Sequence, residues 1–219
     1  MHVEDKFAHN WLIKKVVNDR VKKDLSLLRG RVYDLGCGVR PYEQDIMKQA
    51  REYFGVDWSN CIHGQNCDVV PDLNNKLPID SDVADTVVSF EVLEHLSEPQ
   101  TMLNESNRIL KRQGNVLLSV PFQWWVHEAP WDYYRYTRHG LDYMLKKAGF
   151  IDIYVEETTG FWEMGFLKLN YQTLPLIRGF VRGILIPFWW INQQINPLLS
   201  KHWKAENETA GYVVVAKKP

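Results

Sequence analysis

Arg31-Val32-Tyr33-Asp34-Leu35-Gly36-Cys37-Gly38-Val39-Arg40-Pro41-Tyr42 is the stretch that decides the fold of this chain. A short run with Val, Tyr and Leu meets two glycines one residue apart, and Pro41 stands where a first helical turn accepts it. The pattern predicts a strand, a tight turn and a helix over Pro41 to Ala50. Glycines let the backbone turn at positive φ and let a ligand lie against the main chain, while a helix N-terminus offers unpaired N–H groups. A dinucleotide fingerprint would place a third glycine three residues after the second, where this chain has Pro41. Asp34 also adds negative charge where a pyrophosphate would lie. The turn therefore suits a cationic ligand better than a nicotinamide dinucleotide, and an oxidoreductase is disfavoured.

On the N-terminal side, Trp11, Leu12, Val16, Val17, Val21, Leu25 and Leu28 recur at helical spacing from about Ala8 to Leu28, ending near Gly30. On the C-terminal side, Glu52 to Asp57 reads as a second strand ending on a carboxylate. An acidic residue about 20 positions past the glycines, at a strand tip, accepts the hydroxyls of a ribose. Cys67 to Leu73 reads as a short third strand, Ala84 to Phe90 as a fourth and Asn115 to Val120 as a fifth. Between the last two, Ser97 and Gln100 have capping-box spacing and Pro99 lies in the first turn, so a helix is expected to run to Arg112 and stop at Gly114. Alternating strands and helices predict a mostly parallel sheet with helices on both faces, its ligands bound outside the carboxyl ends of the strands.

Asp34-x-Gly36-x-Gly38, Asp57 and Glu91-Val92-Leu93-Glu94-His95-Leu96 form an ordered set that resembles the class I S-adenosylmethionine-dependent methyltransferases. The resemblance implies a Rossmann-like sheet whose last strand is antiparallel, S-adenosylmethionine as cofactor and S-adenosylhomocysteine as product. It implies a cofactor site at Asp34, Gly36, Cys37, Gly38, Asp57, Trp58, Leu73, Phe90 and Glu91. It also points to Asp72, before Leu77-Pro78, for the adenine amino group, with Asp68 the second candidate. His95 is given no chemical role. No metal site is read from the spacing.

Pro121 to Thr137 is too aromatic for an idle loop and too punctuated by proline for a helix. His127-x-x-Pro130-x-Asp132-Tyr133-x-Arg135-Tyr136-Thr137 resembles the methyltransferase-11-type subset. The loop leaves the carboxyl edge of the sheet and is expected to overhang the transferred methyl group. His127 is the matched general base, since an ordinary histidine titrates near neutrality. Glu128 and Asp132 could orient or replace it, and Arg135 could hold an anionic acceptor or pair with Asp132. Thr137 caps the helix that follows.

The chain is expected to be one methyltransferase domain over 1–219: an N-terminal helical segment (1–30), a cofactor-binding core (31–157), a helical apolar insertion (160–211) and a final strand (212–217). The family pairs the strands on either side of the insertion as a hairpin. From Met164 to Ala205 there is no Asp or Glu, while Lys168, Arg178, Arg182, Lys201 and Lys204 stand among apolar and aromatic residues. Pro187, Pro197 and a run of Asn and Gln argue against a bilayer crossing. The insertion is expected to cap the acceptor site, to form a homodimer surface or to touch a membrane peripherally.

Formal charge is −1, from 26 basic and 27 acidic side chains, so no global field favours nucleic acid. Cys37, Cys61 and Cys67 lack metal or disulfide spacing, and the first residues lack the apolar run of a signal peptide, which together suggest a cytoplasmic protein. The expected activity is methyl transfer to a small, sugar-linked or lipid-linked acceptor, at oxygen. The alternative is a non-catalytic module that keeps the fold as a scaffold.

Overall fold

The computed structural model describes residues 5–59, 66–203 and 208–219, so Cys61 and Lys204 lie outside the described residues. The chain divides into two compact units: Val21–Glu156 with Gly211–Pro219, and Met1–Arg20 with Glu157–Ala210.

The first is an α/β unit built on six strands: β1 (Gly30–Leu35), β2 (Ala50–Val56), β3 (Ala84–Phe90), β4 (Leu110–Pro121), β5 (Ile151–Glu157) and β6 (Gly211–Lys217), in the order β2-β1-β3-β4-β6-β5. β1 runs parallel to β2 and β3, β3 parallel to β4, and β6 antiparallel to β4. The central strands are apolar runs because helices or loops cover both faces, and Val32, Leu35, Val87, Val88, Val116 and Val214 are fully buried. The order reverses beside β1, so the carboxyl ends of β1 and β3 open at a switch point.

Four expectations are corrected. The helix after the glycine turn is only α2 (Glu43–Ile46), because Arg40 takes a positive φ of 55° and the chain then leaves the helix through i→i+3 bonds to reach β2. The expected third strand shrinks to a single bridge between Val56 and Val69, since Asp68 gives its carboxylate to the Gly55 N–H and Pro71 has no donor. Helix α3 (Pro99–Ile109) stops at Leu110, which is extended and already belongs to β4. Ser97 does not cap α3; its hydroxyl donates to Asn74 Oδ1. Thr137 does cap α4 (Arg138–Lys147), accepting from the Gly140 N–H at 3.1 Å.

The second unit is helical. α1 (Trp11–Asp24) begins in it, and α5 (Phe161–Thr173) and α6 (Val181–His202) follow β5. Gln193 on α6 accepts from the Leu12 N–H at 2.8 Å and donates to the Ala8 carbonyl at 3.0 Å, satisfying backbone groups at the start of α1. Asn170 donates to the His9 carbonyl and accepts from Asn192, and Asn196 donates to the Trp162 carbonyl.

Candidate active site

The glycine turn is held against the end of β2 by Gly36 and Cys37, whose N–H groups donate to the Val56 carbonyl at 2.7 and 3.2 Å. Gly36 has φ 82°, and a Cβ there would meet Val92 at 2.3 Å, so no other residue fits. Gly38, at φ 50°, would project its Cβ into open space. One glycine is required by the protein's own packing; the other leaves room for something else.

Asp57 is 7% exposed, and its two carboxylate oxygens accept from the Gly38 N–H at 2.7 Å and the Trp58 N–H at 2.8 Å. Each oxygen keeps a lone pair. Asp34 sits below the turn, 2% exposed, with Oδ2 taken by the Tyr53 hydroxyl at 2.6 Å. Burial pushes its carboxyl up to about 7, against the opposing effect of the Tyr53 bond. Cys37 is buried beside Gly55 and Arg40, and burial raises its thiol far above the ordinary range. Phe90 packs edge-on against Tyr42 at 4.8 Å, and Glu91 follows at a positive φ of 55° with its N–H on the Ser119 carbonyl.

The two adenine candidates are otherwise engaged. Asp68 accepts from the Gly55 N–H and pairs with Arg40 at 2.9 Å. Asp72 is exposed and folds back on its own turn, accepting from Asn74 and Asn75, while Leu73 beside it is buried.

The aromatic loop is pinned to the segment after β3. The Tyr136 hydroxyl donates to the Leu93 carbonyl at 2.8 Å, and the Tyr133 N–H donates to the Glu94 carbonyl at 2.9 Å. Trp131 meets Trp58 edge-on at 5.2 Å, which ties the loop to the residue next to Asp57. Arg135 organises the loop from within: it grips both oxygens of Asp132 at 2.6 and 2.7 Å and donates to the Trp125 carbonyl at 2.9 Å. Those bonds hold Asp132 well below the ordinary carboxylate range. Asp132 also accepts from the His127 N–H at 2.9 Å.

Two imidazoles face each other here, His95 and His127, with ring centroids 4.9 Å apart. Burial lowers the His127 pKa, which favours the neutral ring, against the opposing effect of Asp132. Its Nδ1 lies 3.3 Å from the Arg135 guanidinium, which can only donate. His95 is the clearer case. Its Nδ1 is 2.7 Å from the Trp131 carbonyl, which can only accept, so Nδ1 carries a proton and in the neutral ring the lone pair is on Nε2. That Nε2 stands 3.6 Å from Glu94 and 3.9 Å from Glu128. Glu94 is fully buried with neither carboxylate oxygen hydrogen-bonded, and burial raises its pKa well above the usual range. Among the described residues, Glu94, His95 and His127 bring ligand atoms within 4.8 Å of one another, a donor set a metal ion could use. The guanidinium against His127 puts a fixed positive charge in the same cluster, so we read it as an acid–base site.

Residues 12–159 match the family model described as "Methyltransferase domain". The chain belongs to this family. The ubiquinone biosynthesis O-methyltransferase of Psychrobacter arcticus is 20% identical over 238 residues, spanning 100% of this chain and 86% of that protein. Among solved structures, the Haemonchus contortus phosphoethanolamine N-methyltransferase 2, in complex with phosphomonomethylethanolamine and S-adenosylhomocysteine, superposes with a TM-score of 0.58 at 18% identity. It covers 100% of this chain, which spans 58% of that structure's chain. A SAM-dependent methyltransferase from Archaeoglobus fulgidus gives a TM-score of 0.59 at 17% identity, covering 96% and 95% of the two chains. The fold is thus that of the S-adenosylmethionine-dependent methyltransferases, and S-adenosylmethionine is the cofactor of this methyltransferase family.

The residues present fit that cofactor. The open space at Gly38 and the spare lone pairs of Asp57 lie side by side at the strand ends, with the Asp34 carboxyl, which a cation beside it would help to ionise, beneath them. Reading the methyltransferase sequence alone missed Tyr53 and Arg40, which fix Asp34 and Asp68, and passed over His95. The Tyr53 and Arg40 contacts cross between segments and leave no local pattern. His95 had a signal in its place after β3, but only the Trp131 carbonyl reveals its tautomer.

Proposed function

We propose that the protein transfers the methyl group of S-adenosylmethionine to an oxygen of a small acceptor, free or linked to a sugar or lipid. The observation that carries this reading is the unbroken series of contacts from Asp57 through Trp58 and Trp131 to His95 and His127. It joins a ribose anchor to a pair of bases at one edge of the sheet. The 20% identical ubiquinone O-methyltransferases support oxygen as the methylated atom.

The bound donor supplies a methyl carbon made electrophilic by its sulfonium, so the protein's larger task is to hold the acceptor close and in line. Asp57 accepts the ribose hydroxyls, the backbone at Gly36 to Gly38 receives the donor, and Asp34 favours its positive charge from below. Trp58, Phe90, Glu91 and Leu73 complete the donor site, with Asp72 left to its own turn. His95 Nε2 takes the proton of the acceptor hydroxyl, and Glu128, 3.9 Å away, stabilises the imidazolium that results. His127 lies beside it as the second wall of the acceptor site. Asp132 and Arg135 act by shaping the loop rather than by touching the acceptor.

Radiolabelled methyl transfer into a lipid and small-molecule extract tests the roles. His95→Ala should lose roughly 100-fold or more in turnover while binding S-adenosylhomocysteine as the parent does. His127→Ala should retain more activity than His95→Ala; the reverse order would return the base to His127. No binding of either S-adenosylmethionine or S-adenosylhomocysteine by folded protein would end the reading, and binding without any transfer would favour the scaffold.

A further inference from the structure

Helix α6 is turned inside out. Its buried face carries Leu185, Trp189, Asn192, Gln193 and Asn196, whereas Phe180, Ile184, Ile191, Ile195 and Leu198 are exposed. At 3.6 residues per turn these five exposed residues fall within about 60° of arc, a single apolar stripe along the helix. The stripe cannot roll inward. Doing so would break the bonds of Gln193 to Leu12 and Ala8, of Asn192 to Asn170 and of Asn196 to Trp162, leaving buried amides unpaired. Trp189 adds a bond from its indole N–H to the Thr173 hydroxyl at 2.8 Å. The fold therefore spends its hydrogen bonds on keeping isoleucines in the open.

Two features say what covers them. Exposed cations stand at the two ends of the stripe, Arg178 just before its N-terminal end and Lys201 near its C-terminal end, and no acidic residue occurs from Met164 to Trp203. Trp190 and Trp203 are also exposed, the residue type that settles at a bilayer's headgroup level. We propose that α6 lies in the plane of an anionic membrane, its apolar stripe in the headgroup boundary and its Lys and Arg residues on acidic phospholipids. A second copy of the chain fits less well. A two-fold interface sets the same patch against itself and would oppose one cationic rim with another. No described helix is long and apolar enough to cross the bilayer, so the contact is peripheral.

Co-sedimentation of the full chain with phosphatidylcholine vesicles, with and without phosphatidylglycerol, tests this. Binding should be at least tenfold tighter to the anionic vesicles and should weaken as salt is raised. Ile191→Asp with Ile195→Asp should abolish binding to both. Because these side chains are exposed, the melting profile and S-adenosylhomocysteine affinity should stay unchanged, which separates this proposal from the methyl-transfer reading. Arg178→Glu and Lys201→Glu together should remove the anionic preference. Absence of binding to either vesicle would overturn the proposal, as would a concentration-dependent dimer dissolved by the Ile191→Asp and Ile195→Asp changes.

Discussion

The two units of this protein solve burial in opposite ways. In the α/β unit the inside of the sheet is apolar: Leu35, Val87, Leu118 and Val214 are sealed in it, while the buried carboxylates Asp34 and Asp57 lie at the strand ends. In the helical unit the buried face of α6 sets the amides of Asn192, Gln193 and Asn196 beside Leu185 and Trp189, while Ile184, Ile191 and Ile195 face outward. The difference teaches that a count of apolar residues does not locate a core. Paired amides can fix a helix in place when each donor and acceptor finds a partner, and the apolar residues are then free for another surface.

The comparison can be broken most sharply at Asp34, a buried carboxyl of the apolar unit. Its native pKa, about 7, lies above its unfolded value, so the native state holds the proton more tightly. Its contribution to stability is complete below about pH 4, is lost as pH rises, and is gone above about pH 7, a swing of about 4 kcal/mol. Asp34→Asn should flatten the pH dependence of stability across that window in chemical denaturation of ligand-free protein. An unchanged profile would mean that the carboxyl is not buried as described.

Next in size is the sheet. Leu118→Ala, at a site 1% exposed, should cost about 3 kcal/mol in the same measurement, the ordinary result of opening a cavity in a packed core. Asn192→Leu in the helical unit should also destabilise, by about 2 kcal/mol, because it strips the Asn170 side-chain oxygen of its donor although it adds apolar volume. A gain in stability there would mean that the amide face is not what orients α6. The smallest effect belongs to Ile191→Ala, which should change stability by no more than about 0.5 kcal/mol because the side chain is already exposed.

Much of the α/β unit was legible residue by residue. The Thr137 cap is readable because it depends on a neighbour three positions away, and the glycine turn and Asp57 because each is marked by its own residue type at the end of a strand, although the bond between them spans 19 positions. The failures share a cause. Ser97 had capping spacing but bonds Asn74, 23 positions back, and the expected third strand lost its ladder to the Asp68 side chain. The resemblance places Asp72 ahead of Asp68 for the adenine, and both carboxylates have protein partners, Asp72 within its own turn and Asp68 at Gly55 and Arg40. Arg135 was read as either an acceptor ligand or an ion-pair partner, and its bidentate grip on Asp132 decides for the pair.

The sequence by itself determined the alternation of strands and helices apart from the expected third strand, the turn that only glycine can make and the carboxylate at the end of β2. These follow from backbone sterics and periodicity, which act along the chain. Only the tertiary structure decided which imidazole nitrogen is bare, which acidic residues are already paired and which face of α6 looks outward. Each of those depends on a partner brought from a distant segment, and a hydrogen bond is fixed by where its two ends meet in space.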